Sequence, residues 1–264
     1  MNSTFEKIIQ NRGWNRPSQN GDINLPQIME NIEKRLSRGL PPEEPFTLTR
    51  FQEKVIEDEQ FWRDWESEDI SHLVIQGATS AGKTLVSELA ILDTLDNQKK
   101  AVVLVPLKAM VHERMVQFQR DMPDQKVFGS SSDHLENDER LMHDDYDVVV
   151  TVYEKFFAML YQNPKDLMNK CGLLVVDEMS MLSKDQRGPK LEMLLELIRK
   201  NYPEVRIMCL ATCDCKTNKI CEWLGIEKPI RSTARPVGLE EHILLMNGTR
   251  FCRTMPANHE QEDS

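Results

Sequence analysis

Short apolar runs alternate with amphipathic stretches through most of this chain. Residues 72–75, 101–105, 126–129, 147–151, 172–176 and 205–210 are mainly apolar and often β-branched, the pattern of strands buried on both faces. Between them, residues 48–57, 83–95, 107–120, 154–162, 189–200 and 217–224 repeat apolar positions at helical spacing. Strands alternating with helices predict an α/β fold with a parallel sheet covered by helices on both faces. Ligands are then expected outside the carboxyl ends of the strands.

The chain ends read differently. Leu25, Ile28, Ile32 and Leu36 recur at helical spacing and predict an amphipathic helix over 25–40, a helical extension to the main domain. Residues 1–22 are polar and rich in Asn, Ser and Gly, so the extreme terminus is expected to be poorly ordered. Leu40-Pro-Pro-Glu-Glu-Pro45 reads as a stiff linker, and the end beyond Asn258 as a solvated acidic tail. These features divide the chain into an extension (1–45), a main domain (46–240) and an outgoing segment with its tail (241–264).

Composition narrows the classes. Hydrophobic residues make up 40% and charged ones 29%, ordinary for a globular protein. No apolar stretch approaches the about 18 residues of a membrane span, and the N-terminus carries no apolar signal segment, so an intracellular setting without a membrane partner is expected. Cys209, Cys213, Cys215 and Cys221 crowd together, but their spacing lacks the paired C-x-x-C of a metal site, so they read as ordinary thiols. A net charge of −10 argues against broad electrostatic coating of a duplex, though a local basic groove stays compatible with it.

The candidate chemistry lies at two strand ends. Gly77-Ala-Thr79-Ser80-Ala81-Gly82-Lys83-Thr84 fits G-x-x-x-x-G-K-[ST], between a strand and a helix. That context points backbone N–H groups and a helix N-terminus at a polyphosphate. The run Gly172-Leu-Leu-Val-Val176 ends in Asp177-Glu178. Beside such a loop the first carboxylate can hold Mg²⁺ together with Thr84, and the second can polarise an attacking water. Lys83, Asp177 and Glu178 are therefore the catalytic candidates, with ATP and Mg²⁺ as the expected cofactors.

Further motifs follow in order: Arg50-Phe51-Gln52, Val105-Pro-Leu-Lys108-Ala-Met110, Asp147-Val-Val-Val-Thr151-Val-Tyr-Glu-Lys-Phe156, Arg187-Gly-Pro-Lys-Leu-Glu192, Cys221-Glu-Trp-Leu-Gly225 and Ala234-Arg-Pro-Val237. Over about residues 46–240 the chain resembles the first RecA-like domain of superfamily-two DExH helicases. The wording is similar to the superkiller-like branch, which includes the archaeal repair helicases and the helicase domain of polymerase theta. The resemblance implies a P-loop RecA-like sheet, adenine selection by Gln52, and a single strand of DNA or RNA gripped near Lys108, Ser130, Thr151 and Arg187.

Two positions depart from the family pattern. The Asp-Glu motif continues to Ser180 where the family has His or Asp, and the Ser-Ala-Thr motif reads Leu210-Ala211-Thr212. Serine opposite leucine offers less hydrogen bonding than histidine opposite serine, so weakened coupling between hydrolysis and strand movement is expected. No Q-x-x-G-R-x-x-R pattern follows Pro236. The resemblance thus implies the N-terminal motor domain of a helicase, incomplete without a second RecA-like domain in cis or in trans. The alternative is a stand-alone ATP-gated nucleic-acid or protein interaction module that does not unwind. A small-molecule kinase would share the loop but explains none of the later motifs.

Overall fold

A computed structural model describes residues 3–14, 23–38, 46–62, 72–132, 137–183, 187–213, 217–246 and 248–255. The expected linker and the acidic tail lie outside the described residues. In chain order the main domain runs α3 (Arg50–Glu57), β1 (Leu73–Gly77), α4 (Lys83–Asp96), β2 (Lys100–Val105), α5 (Lys108–Asp121) and β3 (Val127–Ser130). It continues with α6 (Asp138–Met142), β4 (Val148–Val152), α7 (Tyr153–Gln162), α8 (Pro164–Leu167) and β5 (Cys171–Asp177). A 3₁₀ turn over Met179–Ser183 then leads to α9 (Gly188–Asn201), β6 (Arg206–Ala211), α10 (Asn218–Leu224) and β7 (Ile230–Ser232).

The seven strands form one parallel sheet in the order β3-β4-β2-β5-β6-β1-β7. Alternation along each strand sends side chains to two separate cores. Ile75, Val103, Val150 and Val175 face one, with Leu85 and Leu89 of α4 and Val111 and Phe118 of α5. Val102, Val149, Leu174 and Val176 face the other, with Phe156 of α7, Leu191 and Leu195 of α9 and Cys221 of α10. This is the expected RecA-like α/β fold, with strand bounds moved by a residue or two. Every loop that carries a site motif leaves a strand at its carboxyl end. Cys209 and Cys221 are buried and Cys213 is half-buried, all as free thiols. Beyond the sheet, β8 (Leu239–Leu244) and β9 (Arg250–Met255) pair as an antiparallel hairpin with Ile243, Leu244 and Phe251 exposed.

The N-terminus corrects one expectation. Instead of being poorly ordered, residues 3–12 form a helix, α1 (Ser3–Arg12), and residues 15–22 lie outside the described residues. Phe5, Ile8 and Ile9 lie one turn apart on one face, and together with Trp14 they are buried in the α4/α5 core. The polar average of the segment concealed this spacing. α2 (Leu25–Leu36) buries Leu25, Ile28, Met29 and Ile32 and is capped by Asn24, whose side chain accepts from the Gln27 N–H.

Two arginines of the extension lock onto the helix that follows the phosphate-binding loop. Arg12 pairs with Asp93. Arg35 reaches both Glu88 of α4 and Asp121 of α5, at 2.7 Å each. One guanidinium thus serves two buried carboxylates. Burial, opposed by Arg35 and reinforced by Asp121, pushes the Glu88 carboxyl up from 4.5 to about 7. A carboxyl raised in the folded state contributes stability that is complete below pH 4.5 and is lost as pH rises to about 7, roughly 3 kcal/mol across that window. Glu88→Gln is expected to abolish that slope. Melting temperature against pH checks it: parallel curves for the variant and wild type would show that Glu88 stays ionised throughout.

Candidate active site

The phosphate-loop region is bracketed from beneath by α3. Thr49 caps that helix in a reciprocal box with Gln52: the Gln52 N–H donates to Thr49 Oγ1, and the Thr49 N–H donates to Gln52 Oε1. The same two side chains continue into the loop. Thr49 Oγ1 donates to the Ala81 carbonyl at 2.8 Å, and Gln52 Nε2 to the Gly82 carbonyl at 3.2 Å. Gln52 is 3% exposed, so its amide is committed to the cap and the loop in this conformation. A Cβ at Gly77 would stand 2.4 Å from the Phe51 ring, which is why glycine opens the loop. Gly82 has φ +93°, and a Cβ there would meet Gln52 Nε2 at 2.1 Å. Ser80 also takes a left-handed φ of 64°. Ala81 is buried, while Thr79 and Ser80 are exposed and Lys83 and Thr84 half-buried at the start of α4.

Lys83 Nζ donates to the carbonyls of Gly77 and Ala78 at 3.0 and 2.9 Å. Burial holds its pKa below the usual lysine range, offset chiefly by the negative charges of Glu178 and Asp177. The loop lysine thus lies within electrostatic reach of both carboxylates, although one strand, β6, separates β1 from β5. Asp177 ends β5, and its carboxyl is raised by burial and held back by Arg114, whose Nη2 lies 3.3 Å from Oδ2. Glu178 follows in a left-handed backbone, φ 84°. Its Oε1 is buried without a hydrogen-bond partner. A buried carboxylate oxygen left unpaired on a strained residue is costly, and such sites recur where a ligand completes the bonding.

The positions expected to couple hydrolysis to movement lie at the end of β6 and on the turn after Asp177. Leu210 pairs in register with both Asp177 and Ile75, and its side chain is buried in the α4/α5 core. Ala211 is buried, Thr212 is half-buried, and Ser180 sits half-buried on the 3₁₀ turn. Gln76, the residue before the loop, ties this segment down. Its Nε2 donates to the carbonyls of Thr212 and Cys213 at 3.0 and 3.1 Å, and Thr217 Oγ1 donates to its Oε1 at 3.3 Å. Neither Gln76 nor Arg114 was singled out from the sequence. An unbroken strand pattern hides a polar residue at its last turn, and Arg114 meets Asp177 only through the fold.

The four residues expected along a bound strand gather at the carboxyl ends of β2, β3 and β4, with different exposure. Lys108 is exposed at the start of α5 and its Nζ hydrogen-bonds Ser132. Arg187 holds Glu154 through two bonds of 2.6 and 3.1 Å, donates to the Pro106 carbonyl at 2.8 Å and lies over the Tyr153 ring. Ser130 and Thr151 are register partners but are 0% and 1% exposed. Ser130 Oγ donates to Asp138 at 2.9 Å, and Thr151 Oγ1 to the Val152 carbonyl at 3.3 Å. In this conformation both hydroxyls face inward, because parallel strands are covered on both sides.

The sequence pattern of the DEAD/DEAH box helicases matches residues 49–220, from the Thr49 cap to the start of α10. The chain belongs to that family. Relatives agree with the superkiller-like resemblance. The chain is similar to the ATP-dependent DNA helicase Hel308 of Thermoplasma volcanium, 32% identical over 180 residues that cover 67% of this chain and 26% of that protein. Hel308 of Caldivirga maquilingensis is 32% identical over 174 residues, 65% of this chain and 22% of that protein. Activating signal cointegrator 1 complex subunit 3 of Danio rerio is 29% identical over 202 residues, 70% of this chain and 13% of that protein. The chain thus spans about a quarter or less of the length of these relatives, and the family pattern covers the loop and the Asp-Glu pair.

Proposed function

We propose that residues 46–240 are the ATP-binding motor domain of a nucleic-acid helicase. The domain takes Mg²⁺-ATP at the Gly77–Thr84 loop and a single strand of DNA or RNA across the starts of α5, α7 and α9. A second RecA-like domain, in cis or in trans, completes the catalytic cleft. The observation that carries this reading is the unpaired, buried Oε1 of Glu178, within electrostatic reach of Lys83, whose ammonium is held on two loop carbonyls. A lysine parked on its own loop and an acid with an unpaired acceptor oxygen suit a polyphosphate and its attacking water.

The residues fit the cofactors by their donors. Lys83 would exchange its carbonyls for β- and γ-phosphate oxygens, and the N–H groups from Thr79 to Lys83 would surround them. Thr84 and Asp177 offer a hydroxyl and a carboxylate to Mg²⁺, oxygen ligands of the kind that ion takes. Bound Mg²⁺ would supply neutralisation of the phosphate charge. Glu178 would orient the water and accept its proton. Gln52, under the loop, would have to turn from the Gly82 carbonyl to read adenine.

Binding of matched single-stranded DNA and RNA oligonucleotides across a salt series tests the strand path. Lys108→Ala and Arg187→Ala are each expected to flatten the log–log salt slope by about 0.7. A variant whose slope stays at the wild-type value takes that residue off the path. A second reading, a stand-alone ATP-gated interaction module without unwinding, is favoured by Leu210. Its buried isobutyl group cannot make the hydrogen bond by which the family's serine couples ATP state to domain movement.

A further inference from the structure

Arg114, which pairs with Asp177, lies outside the loop and strand motifs. Arg114 comes from the middle of α5, where Val111, Met115 and Phe118 form the buried stripe and hold the helix against the sheet. Position 114 is on the flank of that stripe, and the side chains of Arg114 and Asp177 are only 18% and 15% exposed. α5 is also anchored at its far end. Asp121 accepts from Arg35 Nε at 2.7 Å, and the Asp121 carbonyl accepts from Asn31 Nδ2 at 3.1 Å. The guanidinium is therefore delivered by a rigid, doubly fixed helix. It contacts one carboxylate oxygen, Oδ2, through Nη2.

We propose that Arg114 is a positioning residue for the metal-ligating aspartate: by holding Oδ2 of Asp177 it fixes the carboxylate's rotamer and leaves the second oxygen for the divalent cation that arrives with nucleotide. The inference rests on the reading of Asp177 as a Mg²⁺ ligand. Carboxylates that bind metal are commonly held in orientation by such an outer partner, and losing the partner costs about 10–100-fold in metal affinity. An arginine suits the task because its planar fork stays charged and directional where a solvated ammonium would swing. The pair is largely buried, so removing Arg114 also touches folding, and a variant that keeps a hydrogen-bond donor of similar length limits that cost.

The test uses the full chain with ADP and Mn²⁺, the free metal being counted by its electron paramagnetic resonance signal. Arg114→Gln is expected to raise the Mn²⁺ concentration for half-saturation by about 10–100-fold. ADP binding in EDTA should stay at its wild-type value, and the metal titration is run well below the variant's metal-free melting temperature, so that lost folding is not read as lost metal. Arg114→Lys should recover part of the loss, and Asp177→Asn should exceed it. Half-saturation within about twofold of wild type, or tighter binding, overturns the positioning role; tighter binding would make Arg114 a competitor of the metal. ADP affinity in EDTA falling as far as metal affinity also overturns it, by placing Arg114 on the phosphates. A wild-type chain that binds ADP but takes up no Mn²⁺ with it overturns the reading of Asp177 and the inference together. An unmoved Arg114→Gln beside a wild-type chain that does take up Mn²⁺ overturns the inference alone.

Discussion

Glu178→Gln is expected to lower single-turnover ATP hydrolysis by about 10²–10⁴-fold, the usual contribution of a positioned general base. ATP affinity should stay close to wild type. The expectation follows from where the carboxylate sits. Its Oε1 is buried with no protein partner, and its backbone is held at φ 84°. Glutamine preserves the shape but cannot accept the water's proton. It also removes a negative charge within electrostatic reach of Lys83, so nucleotide binding has no reason to weaken. Mixing excess protein with radiolabelled ATP separates binding from cleavage. Equal cleavage by the variant and wild type would mean that Glu178 takes no part in the chemistry.

The second large effect belongs to Lys83. Lys83→Ala should weaken ATP binding by about 30-fold or more, because losing one partner of a buried charge pair typically costs 2–5 kcal/mol. Here the wild-type ammonium is already partly stripped of water and needs only to move from the Gly77 and Ala78 carbonyls. Those carbonyls lose their partner in the variant, so loop disorder has to be told apart from lost charge. Lys83→Met keeps most of the side-chain volume and should lose the same affinity without further loss of melting temperature. An affinity that survives both substitutions would place the phosphates elsewhere.

The sheet was legible because six of its seven strands are short apolar runs, five of them followed by stretches of helical periodicity. β7, three residues long at Ile230–Ser232, carries too little pattern to be seen, and the β8–β9 hairpin has exposed apolar side chains where alternation would expect burial. α1 escaped because the Asn and Ser of its neighbourhood outweighed three well-spaced apolar residues. At the site, the loop glycines and Lys83 could be named because phosphate binding constrains adjacent positions. Gln76 and Arg114 could not, since each acts across more than sixty residues of chain. Gln52 was read as a base-contacting residue and is found as part of a helix cap that also braces the loop. The hydroxyls of Ser130 and Thr151 were placed on the strand path by motif, but the helices on either side of the sheet turn them inward.

The most direct test of the central claim is calorimetric titration of residues 1–264 with ATP, with Mg²⁺ and with EDTA, on wild type and Lys83→Ala. One saturable site is expected, strengthened by Mg²⁺ and lost in the variant. No ATP binding by a folded wild-type chain, or binding that Lys83→Ala and EDTA leave unchanged, would contradict the account.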